Sequence, residues 1–437
     1  MATQAATIAA APERHPPGLY ALFATEMWER FSFYTMLAMF TLYLRDTTGQ
    51  GFAWTSDRAT GLYANYLMFV YASPLVGGWL ADRWLGYRRA VMIGGLFFIA
   101  GHLLLSVRSE PVVYLALTCL VVGNGFFKPN VSAMVGNLYP EGSHLKDRAY
   151  NIFYMGINVG AFLAPVVAEF VKSRFGFHPA FAVAAGGMVL SVTILWRFKH
   201  LIEGVDRPRS RVAGAAPLPI DAVPAPRRIA ALIVIYLIVI IFWMVFHQNG
   251  STLTYWANEN TAWTVTGIIS NAINPAWVIL LTFPLVAVWR GLDRRGREPS
   301  TPVKMMLGML ATSLAFLVLY VGAKQGEATV TGADLYAYKV SPLWLLGAYG
   351  VLTTGELMLS PMGLSLVSKV APPHLRGVMM GGWFVATAIG NKLTQIGQLW
   401  DDMPHSSFWL LLSGCALVMA FVLLALLKPL KKAMPGV

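Results

Sequence analysis

Charge is what this chain has least of. Of its 437 residues only 12% are charged and 56% are hydrophobic, whereas an average soluble domain is about 25% charged. Cysteine is nearly absent as well. Cys119 and Cys415 each sit inside an apolar stretch, which excludes a disulfide framework and leaves no cysteine metal site. No segment alternates apolar and polar residues as the strand of a membrane barrel would. The first 18 residues contain no signal-peptide core, so the first apolar stretch is expected to act as its own insertion signal. Gly-x-Ser-x-Gly, His-Glu-x-x-His and paired intramembrane aspartates are all missing, which argues against an intramembrane enzyme and against any metal or cofactor.

Long apolar runs are what remains. Twelve runs of around 20 residues recur along the chain, the mark of membrane-spanning helices. They fall near 19–44, 59–82, 87–106, 112–138, 147–172, 178–198, 228–247, 264–289, 301–322, 342–368, 377–400 and 406–427. The expected fold class is therefore an all-α integral membrane protein. The net charge of +12 follows the loops. With cytoplasmic termini, 23 Lys and Arg lie on the cytoplasmic side, seven lie opposite, and Arg30, Lys128 and Lys392 lie within helices. This positive-inside bias makes the basic balance a report of topology, and no nucleic-acid partner is expected. It points to a multi-pass protein with both termini in the cytoplasm.

The chain divides in two. Residues 201–227 hold five prolines and mixed charge, with nothing to build a core. Gly77 to Arg89, after the second run, contains Gly-Trp-Leu-Ala-Asp-Arg, where Asp82 is expected to pair with Arg83 or a neighbour. A degraded copy, Gly291 to Arg297, follows the eighth run. A motif repeated six helices later predicts two six-helix halves related by a parallel repeat. The expected divisions are a disordered tail at 1–17, an N-terminal bundle at 18–200, a linker at 201–227, a C-terminal bundle at 228–428 and a tail at 429–437.

A few polar residues interrupt the runs. Glu26, Glu29, Arg30, Phe33 and Tyr34 share one helical face of roughly 140°. Each charge there costs about 3 kcal/mol at a helix centre, so an anchor alone would not carry them. An interhelical ion pair is the plain alternative; a proton and substrate site facing an aqueous cavity is the functional one. Lys128 lies deep in the fourth run beside Pro129, which removes a backbone donor and is expected to bend the helix. Asn158 and Asn274 can glue helices or hydrogen-bond a ligand. His247 ends the seventh run and can titrate near neutral pH. Glu356 is a lone carboxylate deep in the second half. Cations in one half and a carboxylate in the other suit a zwitterion, since Arg offers a planar fork for a carboxylate and Lys a point charge. That logic favours amino acids or short peptides.

The sequence resembles the proton-dependent oligopeptide transporter family, within the major facilitator superfamily. The signature Glu-x-x-Glu-Arg-Phe-x-Tyr-Tyr reads Glu26-Met-Trp-Glu-Arg-Phe-Ser-Phe-Tyr34. Also similar are Gly78-Trp-Leu-Ala-Asp-Arg83, Lys128-Pro-Asn130, Phe153-Tyr-Met-Gly-Ile-Asn158, Asn274-Pro275, Gly355-Glu356 with Ser360-Pro-Met-Gly363, and Met380-Gly-Gly-Trp-Phe384. The resemblance implies a major facilitator fold and import of di- and tripeptides with protons across the inner membrane. It implies proton coupling by Glu26, Glu29 and Arg30, and a peptide carboxylate held by Arg30, Tyr34, Tyr71 and Lys128. It places the peptide's amino end at Asn158, Asn274 and Glu356, side-chain pockets at Trp243 and Trp383, and an ion pair between Lys128 and Glu356 across the halves when the site is empty.

Three features depart from the family pattern. Phe33 replaces the first tyrosine of the signature's Tyr pair. His247 stands where relatives usually carry an acid, and is expected to carry a proton itself. The linker is too short for the two extra helices that many bacterial relatives have. Competing expectations are a proton-coupled carrier of another small anion or peptide-like drug, and more distantly an intramembrane enzyme or a receptor-like binding protein.

Overall fold

The computed structural model describes residues 14–139, 145–206, 222–330, 336–372 and 375–435. Most of the expected N-terminal tail, residues 207–221 of the expected linker and the last two residues lie outside these. The chain forms α1 (Pro17–Arg45), α2 (Ser56–Leu80), α3 (Tyr87–Leu105), α4 (Glu110–Asn137), α5 (Leu145–Phe175), α6 (Phe177–Arg197), α7 (Ala225–Phe246), α8 (Thr252–Glu259), α9 (Ser270–Asp293), α10 (Thr301–Glu327), α11 (Pro342–Val370), α12 (Arg376–Leu393) and α13 (His405–Ala433). Twelve of these have at least 18 residues and coincide with the twelve apolar runs; α8 has only eight residues. Helices α1, α4, α7, α10 and α11 each start with a proline in the first two positions, where its missing N–H leaves no bond unmade and its fixed φ suits the helix.

Some boundaries differ from the expected ones. The seventh run ends in a 3-10 turn, His247–Gly250, followed by α8. The Gln248 side chain accounts for the break, donating to the carbonyls of Met244 (3.3 Å) and Thr394 (3.1 Å). The eleventh run is helical only to Leu393 and continues as a 3-10 segment, Thr394–Asp401. Helix α13 extends through Pro429 to Ala433, into the expected tail, with Lys431 and Lys432 in its last turn, where cations favour the helix dipole. Asp82 and Arg83 do not pair. The Arg83 guanidinium lies over the Trp79 ring at 5.5 Å.

Among the described residues, nine helical segments are long and apolar enough to cross a membrane. Helices α1, α2 and α12 are not in that set, and many of their polar residues face inward. Thr25, Glu26, Glu29, Arg30, Ser32, Thr35 and Thr41 of α1 are all buried, as are Ser56 and Thr60 of α2 and Thr387 and Asn391 of α12.

Packing repeats between the halves. In the first, α1 packs on α5 and α6, α3 on α4 and α6, and α2 on α4. In the second, α7 packs on α12 and α13, α10 on α11 and α13, and α9 on α11. With α8 set aside, each of these five pairs in the first half has its counterpart six long helices later. The halves meet through α2 with α12 and α5 with α9, two contacts that the same repeat interchanges.

The repeat extends to glycine. Where α3 crosses α4, a Cβ on Gly94 would lie 2.6 Å from the Gly123 carbonyl oxygen; where α10 crosses α11, a Cβ on Gly355 would lie 2.6 Å from the Gly308 carbonyl oxygen. Only glycine permits backbones this close. We therefore expect Gly355→Ala to destabilise the protein by about 1–3 kcal/mol through overpacking, lowering its thermal midpoint by several degrees. Gly347→Ala, on the same helix in open space, should leave the midpoint unchanged or raise it. Thermal unfolding of the purified variants measures both.

Candidate functional site

The charged face of α1 is closed around Arg30. Its guanidinium grips Glu29 with both arms, through Nε to Oε2 and through Nη2 to Oε1 at 2.6 Å, and reaches Glu26 Oε1 at 3.3 Å. All three side chains are buried. Helical spacing accounts for the Glu26 contact, since residues four apart lie on the same side; Glu29 is the adjacent residue, and the Arg30 side chain reaches back to it. One cation thus serves two carboxylates, and Glu26 Oε2 is left buried without a hydrogen-bond partner. Phe33 supports the group from one turn on, with the guanidinium carbon 4.9 Å from its ring centre. A phenyl ring supplies the face for such a cation without competing for its hydrogen bonds.

A more accessible layer lies against this set. Tyr34, Tyr71, Lys128, Asn274 and Glu356 are only half-buried. Lys128 Nζ lies 4.8 Å from the centre of the Tyr71 ring, makes no ion pair among the described residues, and interacts electrostatically with Glu26, Glu29 and Arg30. On the opposite half, Asn274 Nδ2 donates to Glu356 Oε2 at 2.8 Å and to Thr353 Oγ1 at 2.9 Å. Tyrosines span the interval: the charge of Glu356 acts on Tyr34, Tyr71 and Tyr154, and that of Arg30 on Tyr34 and Tyr71. Tyr154 and Thr353 were not among the residues singled out from sequence. Each lies one helical turn from one that was, Tyr154 four residues before Asn158 and Thr353 three before Glu356, which is the signal that could have found them.

The expected ion pair between Lys128 and Glu356 is not made. Glu356 is engaged by Asn274, and Lys128 sits with the α1 cluster. Asn158 uses its amide locally, donating to the Tyr154 carbonyl at 2.9 Å. His247 stacks on Trp243 (5.1 Å, 24°) and meets Tyr71 edge-on (5.6 Å), and it lies in the field of Lys128. Its Nε2 and the Trp243 Nε1 are both buried without a hydrogen-bond partner among the described residues. Trp383 is placed elsewhere. It is buried in the second half against Tyr236 (6.4 Å) and Gly363, and no hydrogen bond or ring contact joins it to the charged residues.

Hydrogen bonds between the halves, among the described residues, all lie at the end away from the chain termini. Thr41 donates to the Gly250 carbonyl (2.9 Å), Arg45 pairs with Glu259 (2.8 Å), and Thr60 bonds Tyr255 (3.1 Å). Tyr63 donates to the His247 carbonyl (3.3 Å), Lys392 to Asn65 (2.5 Å) and Gln398 to the Asp57 carbonyl (3.0 Å). Thr266 binds the Glu169 carboxylate.

Residues 88–203 and 220–427 match the model of the POT family. The chain belongs to the POT family. The Glu26–Tyr34 stretch lies outside the matched residues, but whole-length relatives include it. The chain is 30% identical to the uncharacterized transporter YclF of Bacillus subtilis, over 97% of this chain and 96% of that one. It is 29% identical to a di-/tripeptide transporter of Lactococcus lactis, over 97% of each. A solved structure of a mutant peptide transporter POT in complex with alafosfalin superposes with a TM-score of 0.85 at 30% identity, covering 98% of each chain. The POT relatives are membrane transporters, and this chain is a transporter rather than an enzyme.

Proposed function

We propose that the protein is a proton-coupled symporter that imports di- and tripeptides across the inner membrane by alternating access, without a cofactor. One observation carries this reading. An uncommitted cation, Lys128, and a carboxylate, Glu356, come from opposite halves to a common tyrosine-bridged space, with a buried guanidinium–carboxylate cluster behind it. A short peptide is a zwitterion of matching polarity. Its carboxylate would take Lys128, with Tyr34, Tyr71 and an arm of Arg30. Its ammonium would take Glu356, flanked by Asn274 and Asn158. Trp243 would wall a side-chain pocket beside His247; Trp383 would act from deeper in the second half.

Coupling follows from the sharing of Arg30. Both arms of its guanidinium are occupied by Glu29, with Glu26 alongside. A proton on either carboxylate weakens its hold and frees donors for the peptide carboxylate, so proton and peptide favour each other's binding. His247 is a second proton carrier in this scheme, because its unpartnered Nε2 has room for a proton. Access from the termini's side requires the halves to part there while the bonds from Thr41 to Gln398 hold the opposite end. The Lys and Arg distribution favours cytoplasmic termini, so that closed end is the outer one. A ligand shifts such an equilibrium only by binding one state better than the other.

The deciding experiment is uptake of labelled dialanine into liposomes containing the purified protein. Accumulation above equilibrium under an inward proton gradient, lost on adding a protonophore, is the expected result. Absence of any dialanine signal would transfer the reading to a carrier of another small anion or a peptide-like drug. In the same assay Glu29→Gln should lose accumulation by at least tenfold, about 1.4 kcal/mol of coupling, while peptide-for-peptide exchange persists; intact accumulation would remove Glu29 from the coupling scheme. His247→Gln should flatten the dependence of uptake on the gradient, and an unchanged dependence would end its proposed role. Glu356→Ala should weaken peptides with a free amine far more than their N-acetylated forms, and equal losses would place the amine elsewhere.

A further inference from the structure

A charged cavity lies apart from the residues around Arg30 and Glu356. It has a volume of about 360 Å³ and lies between the start of α3 and the end of α6, lined by Arg88, Arg89, Lys199, Trp196, Met92 and Leu195 among others. That volume is within the roughly 300–1,000 Å³ of small-ligand sites. Deeper along the same helices α6 side chains pack on the α3 backbone: a Cβ added to Gly95 would crowd the Val192 and Met188 side chains. The cavity opens on the side of that crossing nearer the chain termini.

Its chemistry is two-sided. Arg88, Arg89 and Lys199 make no ion pair among the described residues, and Asp206 accepts the Arg88 backbone N–H at 2.5 Å rather than its guanidinium. Two other basic residues at this end are engaged: Arg228 donates to the carbonyls of Val370 and Ala371, and Lys304 pairs with Glu298. The positive-inside rule explains basic residues here; it does not require three of them to converge, unpaired, on one cavity. Beside them Met92 and Leu195 give an apolar wall, and Trp196, 60% exposed, is the residue type that favours the headgroup level of a bilayer. The Lys199 ammonium lies 5.7 Å from the centre of its ring.

We propose that this cavity binds an anionic phospholipid of the adjacent leaflet. The phosphate of the headgroup would be held by the side chains of Arg88, Arg89 and Lys199, the first amides of α3 being taken by Asp206. An acyl chain would lie along Met92, Leu195 and Trp196. A free phosphate satisfies the cations but leaves the apolar wall bare, and a zwitterionic lipid satisfies the wall but brings no net charge.

Native mass spectrometry of the full chain, titrated with phosphatidylglycerol, with phosphatidylcholine of the same chains and with inorganic phosphate, separates these cases. One phosphatidylglycerol should bind well above the background set by phosphatidylcholine and resist competition by phosphate. The double variant Arg88→Ala with Lys199→Ala should weaken that site by roughly 25-fold, from about fivefold per basic side chain at an anionic surface. Arg294→Ala with Arg295→Ala, a charge-matched pair outside the cavity, should leave it unchanged. Equal binding of phosphatidylcholine, displacement by phosphate at matched concentration, or equal losses in the two double variants would each overturn the proposal. If the cavity double variant does not fold, Lys199→Gln alone must still weaken the site severalfold for the proposal to stand.

Discussion

Everything at the centre of this protein depends on one guanidinium held by two carboxylates away from water. Arg30 cannot lose its proton under ordinary conditions, so its charge is fixed and the carboxylates are the variable partners. Removing a buried ion from its partners is expensive, and neutralising one of them instead redistributes the remaining hydrogen bonds. Glu29 is gripped by both arms while Glu26 is held by one oxygen, with the other orphaned. The cluster is therefore unequal from the start.

Much of this was legible in the sequence, for identifiable reasons. The twelve long helices follow from apolar run length, which bilayer thickness fixes. The α1 cluster follows from spacing within one helix, where geometry is known before any folding. Contacts across helices were less accessible. Asn274 and Glu356 were expected to share the same end of a ligand, and they do meet, but the link to Thr353 depends on how α9 crosses α11. The resemblance gives Trp383 as a pocket wall, and its packing against Tyr236 and Gly363 could not be read beforehand, since a helix face shows which residues are together and not which neighbour covers them. The expected Lys128–Glu356 pair depends on how far apart the halves stand, a property of conformation that no residue pattern encodes.

Hydropathy also misjudges the helices nearest the function. Helices α1, α2 and α12 fall short of an apolar span because they put hydroxyls, amides and charges on their inward faces. The rule that identifies a membrane segment thus loses sensitivity where the segment meets its own half's interior or the opposite half. The repeated order of helix pairs is the stronger guide, for it is preserved between halves whose sequences have diverged almost beyond recognition.

The glycine crossing beside Glu356 has a mechanical consequence. Gly355 presses backbone to backbone on Gly308, with Thr312 packed alongside, so α11 has no soft side-chain layer at that height to absorb a displacement. A force on the Glu356 carboxylate is transmitted to α10 with little give, as through a welded joint rather than a cushion. Stiffness of this kind lets one buried charge steer a whole bundle, and it places the compliance of the molecule between its halves, where the joints are hydrogen bonds that can be broken and remade.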